Sequence, residues 1–147
     1  MTNVVIAGFV RSPFTPAGKG SLARVRPDEM AADVVRALIE RTQINPEDVE
    51  DVIAGCAFPE AEQGLNVGRL IGLLADLPIA VAGATVNRFC GSSMYSIHMA
   101  AGAIKMGAGE AFVVAGNGCA HNPCTDDSNR LNFLVHDQMA SKTVAMP

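Results

Sequence analysis

A chain of 147 residues, 49% hydrophobic with 14 Gly and 8 Pro, has enough apolar side chain for one cored domain and too little Gly and Pro for low complexity. Its formal net charge of −4 removes any general electrostatic case for nucleic acid or an anionic membrane as partner. No apolar run approaches the roughly 18 residues of a membrane span, and Met1-Thr2-Asn3-Val4 lacks the basic start of a secretory signal, so a cytoplasmic chain with reduced Cys56, Cys90, Cys119 and Cys124 is expected.

In chain order, Val4 to Phe9 is a β-branched run with little alternation, as for a strand covered on both faces. A loop with Pro13, Pro16, Gly18 and Gly20 leads to Pro27-Asp28, which opens a helix. Met30, Ala31, Val34, Val35, Leu38 and Ile39 make its apolar stripe, and Glu29, Asp33, Arg36 and Glu40 its polar face. Asn45-Pro46 reads as a cap and first position of a short turn. A second strand is expected over Val49 to Gly55, and a helix capped by Asn66 and ended by Pro78 follows. Ile79 to Val86 reads as a third strand, and Ser92 to Met106 as a helix apolar almost all round and therefore buried. Ala111 to Gly116 is a fourth strand.

This β-α-β-α-β-α-β order predicts an α/β layered domain with parallel strands and right-handed crossovers. Beyond Gly116 the composition shifts to Asn, Asp, Ser and His, which places a soft boundary near residue 117. Only Leu131 to Met139 hints at a further element there.

Ligands of open parallel sheets bind beyond the carboxyl ends of strands. Val86-Asn87-Arg88-Phe89-Cys90-Gly91-Ser92-Ser93 occupies such a place, between the third strand and third helix. There the helix dipole favours a thiolate at Cys90, Gly91 permits close approach, and Arg88 can add positive charge. The strand-turn-nucleophile-helix arrangement is the one serine hydrolases use with oxygen. A small buried hydrophobe is the bland reading of the same cysteine, and position alone leaves both open.

The segment Val86 to Met94 resembles the nucleophile segment of thiolases, especially the 3-ketoacyl-CoA thiolases of fatty-acid β-oxidation. Supporting stretches stand in family order: Arg11-Ser-Pro-Phe14, Arg26-Pro-Asp28, Asp51-Val-Ile-Ala-Gly-Cys56 and Gly64-Leu-Asn-Val-Gly-Arg69. The resemblance runs through Gly116, making 1–116 a thiolase-like N-terminal domain with a mostly parallel sheet, and 117–147 a diverged or truncated tail. It implies an acyltransferase in which Cys90 accepts an acyl group as a thioester and passes it to a second acceptor. Acyl-CoA and coenzyme A are then substrates, with no bound cofactor and no metal. A homodimer or higher oligomer, with the third strand near the dimer contact, is also implied. The family's Asn-Glu-Ala-Phe, Gly-His-Pro and Cys-x-Gly segments do not occur here, and Asn117-Gly118-Cys119-Ala120-His121 replaces its usual sequence after the fourth strand. The base, second acid/base, oxyanion hole and coenzyme A contacts therefore have no counterpart positions. Alternatives in other classes are a dimerising half without turnover and a thiol-reactive or metal-binding module.

Other candidates have plainer readings. Cys119, Cys124 and His136 have ligand chemistry but looser spacing than common zinc sites. His98 is expected as a hydrogen-bonded core histidine, Cys56 as packing, and Met94, Met99 and Met106 as core or subunit contact. Gly107-Ala-Gly109 ends a helix and reads as a cap and turn. Glu47-Asp48 and Glu50-Asp51 read as a solvated face.

Overall fold

The computed structural model describes residues 3–13, 15–16, 19–118 and 131–137. Its elements are β1 (Val4–Arg11), α1 (Pro27–Thr42), β2 (Asp51–Cys56), α2 (Val67–Leu74), β3 (Ala82–Val86), α3 (Ser92–Lys105), β4 (Ala111–Asn117) and β5 (Leu131–Asp137). The five strands form one sheet in the order β1-β5-β4-β2-β3. β2 pairs in parallel with β3 and β4, while β5 lies antiparallel to both β4 and β1. Four strands thus share one direction and only β5 opposes them, a mostly parallel sheet as expected.

β1 departs from expectation. Among the described residues it is an edge strand, hydrogen-bonded to β5 alone, and none of its residues is fully buried. A β-branched run suits a half-covered edge as well as a central strand, and its partner lies beyond residue 117, where the composition gave little warning. β2 is an interior strand, flanked by β4 and β3, and every residue from Val52 to Cys56 is buried.

α1 forms where its stripe predicts. Pro27 presets the first turn, Asp28 and Glu29 meet the positive end of the dipole, and Arg41 lies in the last turn. Asp28 is buried, accepts from the Glu29 amide at 3.0 Å and pairs with Arg26 at 2.8 Å. Gln43, in the left-handed region at φ 55°, ends the helix through a bond to the Ile39 carbonyl. α2 is shorter than its apolar pattern, stopping at Leu74. Asn66 precedes it without capping it: its Nδ2 donates to the Gly83 carbonyl at 2.8 Å, and its Oδ1 accepts from Thr85 Oγ1 at 2.9 Å. Thr85 Oγ1 in turn accepts from the Gly68 amide at 3.0 Å, so this network ties the start of α2 to β3. β3 begins three residues later than the sequence suggests because Arg69 takes the Ile79 and Val81 carbonyls before the ladder starts.

The helices form two layers. Ala31, Val35 and Leu38 of α1 and Val67 and Ile71 of α2 pack on one face of the sheet against Val52, Ala54, Val113 and Ala115. Ala100 and Ile104 of α3 pack on the other against Ile53, Phe112, Val114 and Val135. The period-two alternation of β2 and β4 feeds both cores. Each fully buried Val, Leu or Ile contributes about 1.5–3 kcal/mol.

α3 meets the sheet by a narrow stripe. Its buried residues are Ser92, Ser96, Ala100 and Ile104, four apart along one line. Met94, Tyr95, Met99 and Met106 are exposed, so the helix is not buried all round, and His98 is exposed rather than a core histidine. The apolar pattern exceeds what one sheet face covers. Among the described residues no helix is long and apolar enough to cross a membrane.

Candidate active site

β3 delivers the chain to the carboxyl end of the parallel strands, and residues 87–91 turn it into α3. Five hydrogen bonds shape the turn. Asn87 Oδ1 accepts from the Phe89 amide at 2.9 Å. The Gly91 amide donates to the Arg88 carbonyl at 3.1 Å, and the Ser92 amide to the Phe89 carbonyl at 3.1 Å. Ser92 Oγ accepts from the Arg88 amide at 2.8 Å and donates to the Phe89 carbonyl at 2.6 Å.

The positive φ in this turn falls on Phe89, at 49°, and not on the neighbouring glycine. A bulky L-residue there is strained and persists only when its surroundings over-determine it. Gly91 has an ordinary backbone at φ −90°, and a Cβ there would meet only the Arg88 carbonyl at 3.5 Å. Its glycine is not demanded by the turn itself. The close approach occurs one strand away, at Gly55, where a Cβ would collide with the Ser93 amide. That contact seats the start of α3 directly on the end of β2.

Cys90 is exposed in this turn. The Arg88 guanidinium lies 4.2 Å from the centre of the Tyr95 ring, which directs its charge along the first turn of α3. Among the described residues no hydrogen bond joins Cys90 to an imidazole or a carboxylate. Cys56 is buried in the α1–α2 core, in keeping with a packing role.

Gly107, at φ 75°, does follow the end of α3 as a turn. Glu47, Asp48 and Glu50 are exposed as a solvated face. Asp51 departs from them: its Oδ1 is buried without a hydrogen-bond partner, and burial pushes its carboxyl above the usual value. Cys119, Cys124 and the side chain of His136 lie outside the described residues, and among those described no group of three metal-ligating side chains assembles. A groove of about 570 Å³ lies between Asn3–Ile6 of the β1 end and Ile97, Ala101 and Lys105 of α3, away from the Cys90 turn.

Sequence reasoning gave no role to Asn87 or Ser92. The signal for Asn87 was present, since Asn two residues before an amide commonly forms a side-chain-closed turn. Ser92 shows its role only in three dimensions. Asn117 is also new: it is buried at the end of β4 beside Cys56 in register, with neither amide atom hydrogen-bonded.

Residues 4–146 match the family described as thiolase, N-terminal domain. The chain belongs to the thiolase family. The match extends past residue 116 across most of the remaining chain. This thiolase chain is 50% identical over 114 residues to a 3-ketoacyl-CoA thiolase of Psychrobacter arcticus, covering 78% of the chain and 29% of that relative. It is also 50% identical over 114 residues to a 3-ketoacyl-CoA thiolase of Acinetobacter baumannii, with the same coverage. The fold is similar to a crystal structure of the Bacillus anthracis acetyl-CoA acetyltransferase, with a TM-score of 0.77 and 35% identity, over 84% of this chain and 31% of that one. The chain thus spans less than a third of the length of these relatives.

Proposed function

We propose that this thiolase chain presents the acyl-accepting thiol of an acyltransferase working between coenzyme A thioesters, with Cys90 as nucleophile. The observation that carries the reading is the placement of Cys90, exposed on a strained turn between β3 and α3 at the carboxyl ends of the parallel strands. The names of the relatives, 3-ketoacyl-CoA thiolase and acetyl-CoA acetyltransferase, supply the substrate class.

In the first half-reaction the Cys90 sulfur, having lost its proton, attacks the thioester carbonyl carbon. A new carbon–sulfur bond forms, the bond to coenzyme A breaks, and coenzyme A leaves with the electron pair and takes up a proton. A second nucleophile, a thiol or a carbanion, then removes the acyl group. Coenzyme A enters as substrate, with no resident cofactor in this scheme. A cytoplasmic setting, where thiols stay reduced, belongs to the same reading.

The test is incubation with acetyl-CoA followed by intact mass measurement. The reading expects one acetyl group on the wild-type chain and none on Cys90→Ser. An unmodified wild-type chain, or an adduct that survives the substitution, overturns it.

A second reading, a half that associates without turnover, is favoured by the exposed Met94, Tyr95 and Met99 on α3 and Phe89 beside them. A homodimer or higher oligomer is the proposed partner state in either reading. A chain that dimerises but takes no acetyl group selects the second.

A further inference from the structure

Resting on the acyl-transfer reading, we infer that Asn87 and Ser92 are positioning residues that aim the Cys90 sulfur. Phe89 is the strained residue of the turn. Its backbone occupies the left-handed region at φ 49°, which a bulky L-residue leaves unless held. It is held at both ends. Asn87 Oδ1 takes its amide at 2.9 Å, and its carbonyl accepts from both the amide and the hydroxyl of Ser92, at 3.1 and 2.6 Å.

Ser92 Oγ also accepts from the Arg88 amide at 2.8 Å, so one hydroxyl bridges the Asn87–Arg88 and Phe89–Cys90 peptide groups, while Asn87 holds the peptide between them. Ser92 is 3% exposed, which leaves little water to replace those bonds. Ser92 is itself fixed, because β2 seats against the first turn of α3 at Gly55 and the Ser96 hydroxyl donates to the Ser92 carbonyl at 3.0 Å. Two polar side chains therefore lock the peptide planes immediately before Cys90 to the rigid end of the sheet. Release of Phe89 rotates the peptide it shares with Cys90, and the sulfur swings with it.

Such a lock matters for a reaction that needs one approach direction and little for one that does not. Acyl transfer from a large bound thioester requires the sulfur on line with the carbonyl carbon, where a displacement near 1 Å costs about 100-fold. A small alkylating agent reaches an exposed sulfur from many directions.

The experiment compares wild type, Asn87→Ala, Asn87→Asp and Ser92→Ala in the 147-residue chain. Asn87 is exposed, so its variants keep the fold even if Ser92→Ala does not. Acetylation of Cys90 by acetyl-CoA is read by intact mass, and alkylation by iodoacetamide serves as the reference reaction. Asn87→Ala and Ser92→Ala are expected to slow acetylation at least about tenfold while alkylation changes less than about threefold. Asn87→Asp keeps the acceptor oxygen and is expected to restore acetylation. Wild-type acetylation with unchanged rates in Asn87→Ala, or equal losses in both reactions, overturns the positioning role alone. A wild-type chain that takes no acetyl group overturns the acyl-transfer reading and this inference with it.

Discussion

At the scale of single residues, environment separates groups that composition treats alike. Cys56 and Cys90 are both thiols, yet one is enclosed between α1, α2 and the sheet and the other is exposed in a turn. A buried thiol reacts only when the structure opens locally, and an opening of about 3 kcal/mol slows it about 100-fold. Iodoacetamide under native conditions is therefore expected to label Cys90 at least about 100-fold faster than Cys56, read by peptide mapping. Asp51 differs from Glu47 and Glu50 in the same way. Burial raises its folded-state carboxyl above its ordinary value, so its protonated form suits the fold and its ionised form costs stability. That stability is present below the ordinary carboxylate value and is lost as pH rises through the raised one. Asp51→Asn removes the loss, so the variant is expected to have a higher denaturant midpoint than wild type at pH 7 and an equal one near pH 3. A midpoint difference that ignores pH contradicts this account.

At the scale of elements, the site rests on contacts between backbone segments. Gly55 of β2 lies against the start of α3, with no space for a methyl group. Gly55→Ala is expected to cost about 1–3 kcal/mol in urea unfolding and to slow acetylation of Cys90 while leaving the α1–α2 face intact. A fully stable variant with normal acetylation shows that the contact does not hold the turn. The elements themselves were largely legible. The apolar stripe of α1 and the β-branched runs of β2 and β4 are patterns local enough to read along the chain. The place of Cys90 between a strand and a helix was legible for the same reason. Features set by distant partners were not. Asn66 reads as a cap and instead bonds to β3, β1 reads as covered and sits on an edge, and Ser92 reveals its clamp only once the turn is closed. In each case the competing partner is an element whose position no local pattern encodes.

At the scale of the whole molecule, the sheet is covered unequally. Among the described residues, α1 and α2 shield one face, while α3 alone guards the other with one line of contact and leaves Met94, Tyr95 and Met99 outward. Apolar patches of this kind drive association. Met94→Lys with Met99→Lys is expected to lower self-association, read by sedimentation velocity over a range of concentrations. Unchanged association places the contact elsewhere on the surface.

The pairing of β1 has a consequence in time. Its one hydrogen-bonded neighbour among the described strands, β5, ends at Asp137, and Val4 lies opposite that residue in register. On a ribosome adding about 5–20 residues each second, the first strand emerges on the order of ten seconds before the segment that completes its ladder. Until then the nascent chain offers an open backbone edge, and a chaperone that masks extended segments has its longest opportunity there.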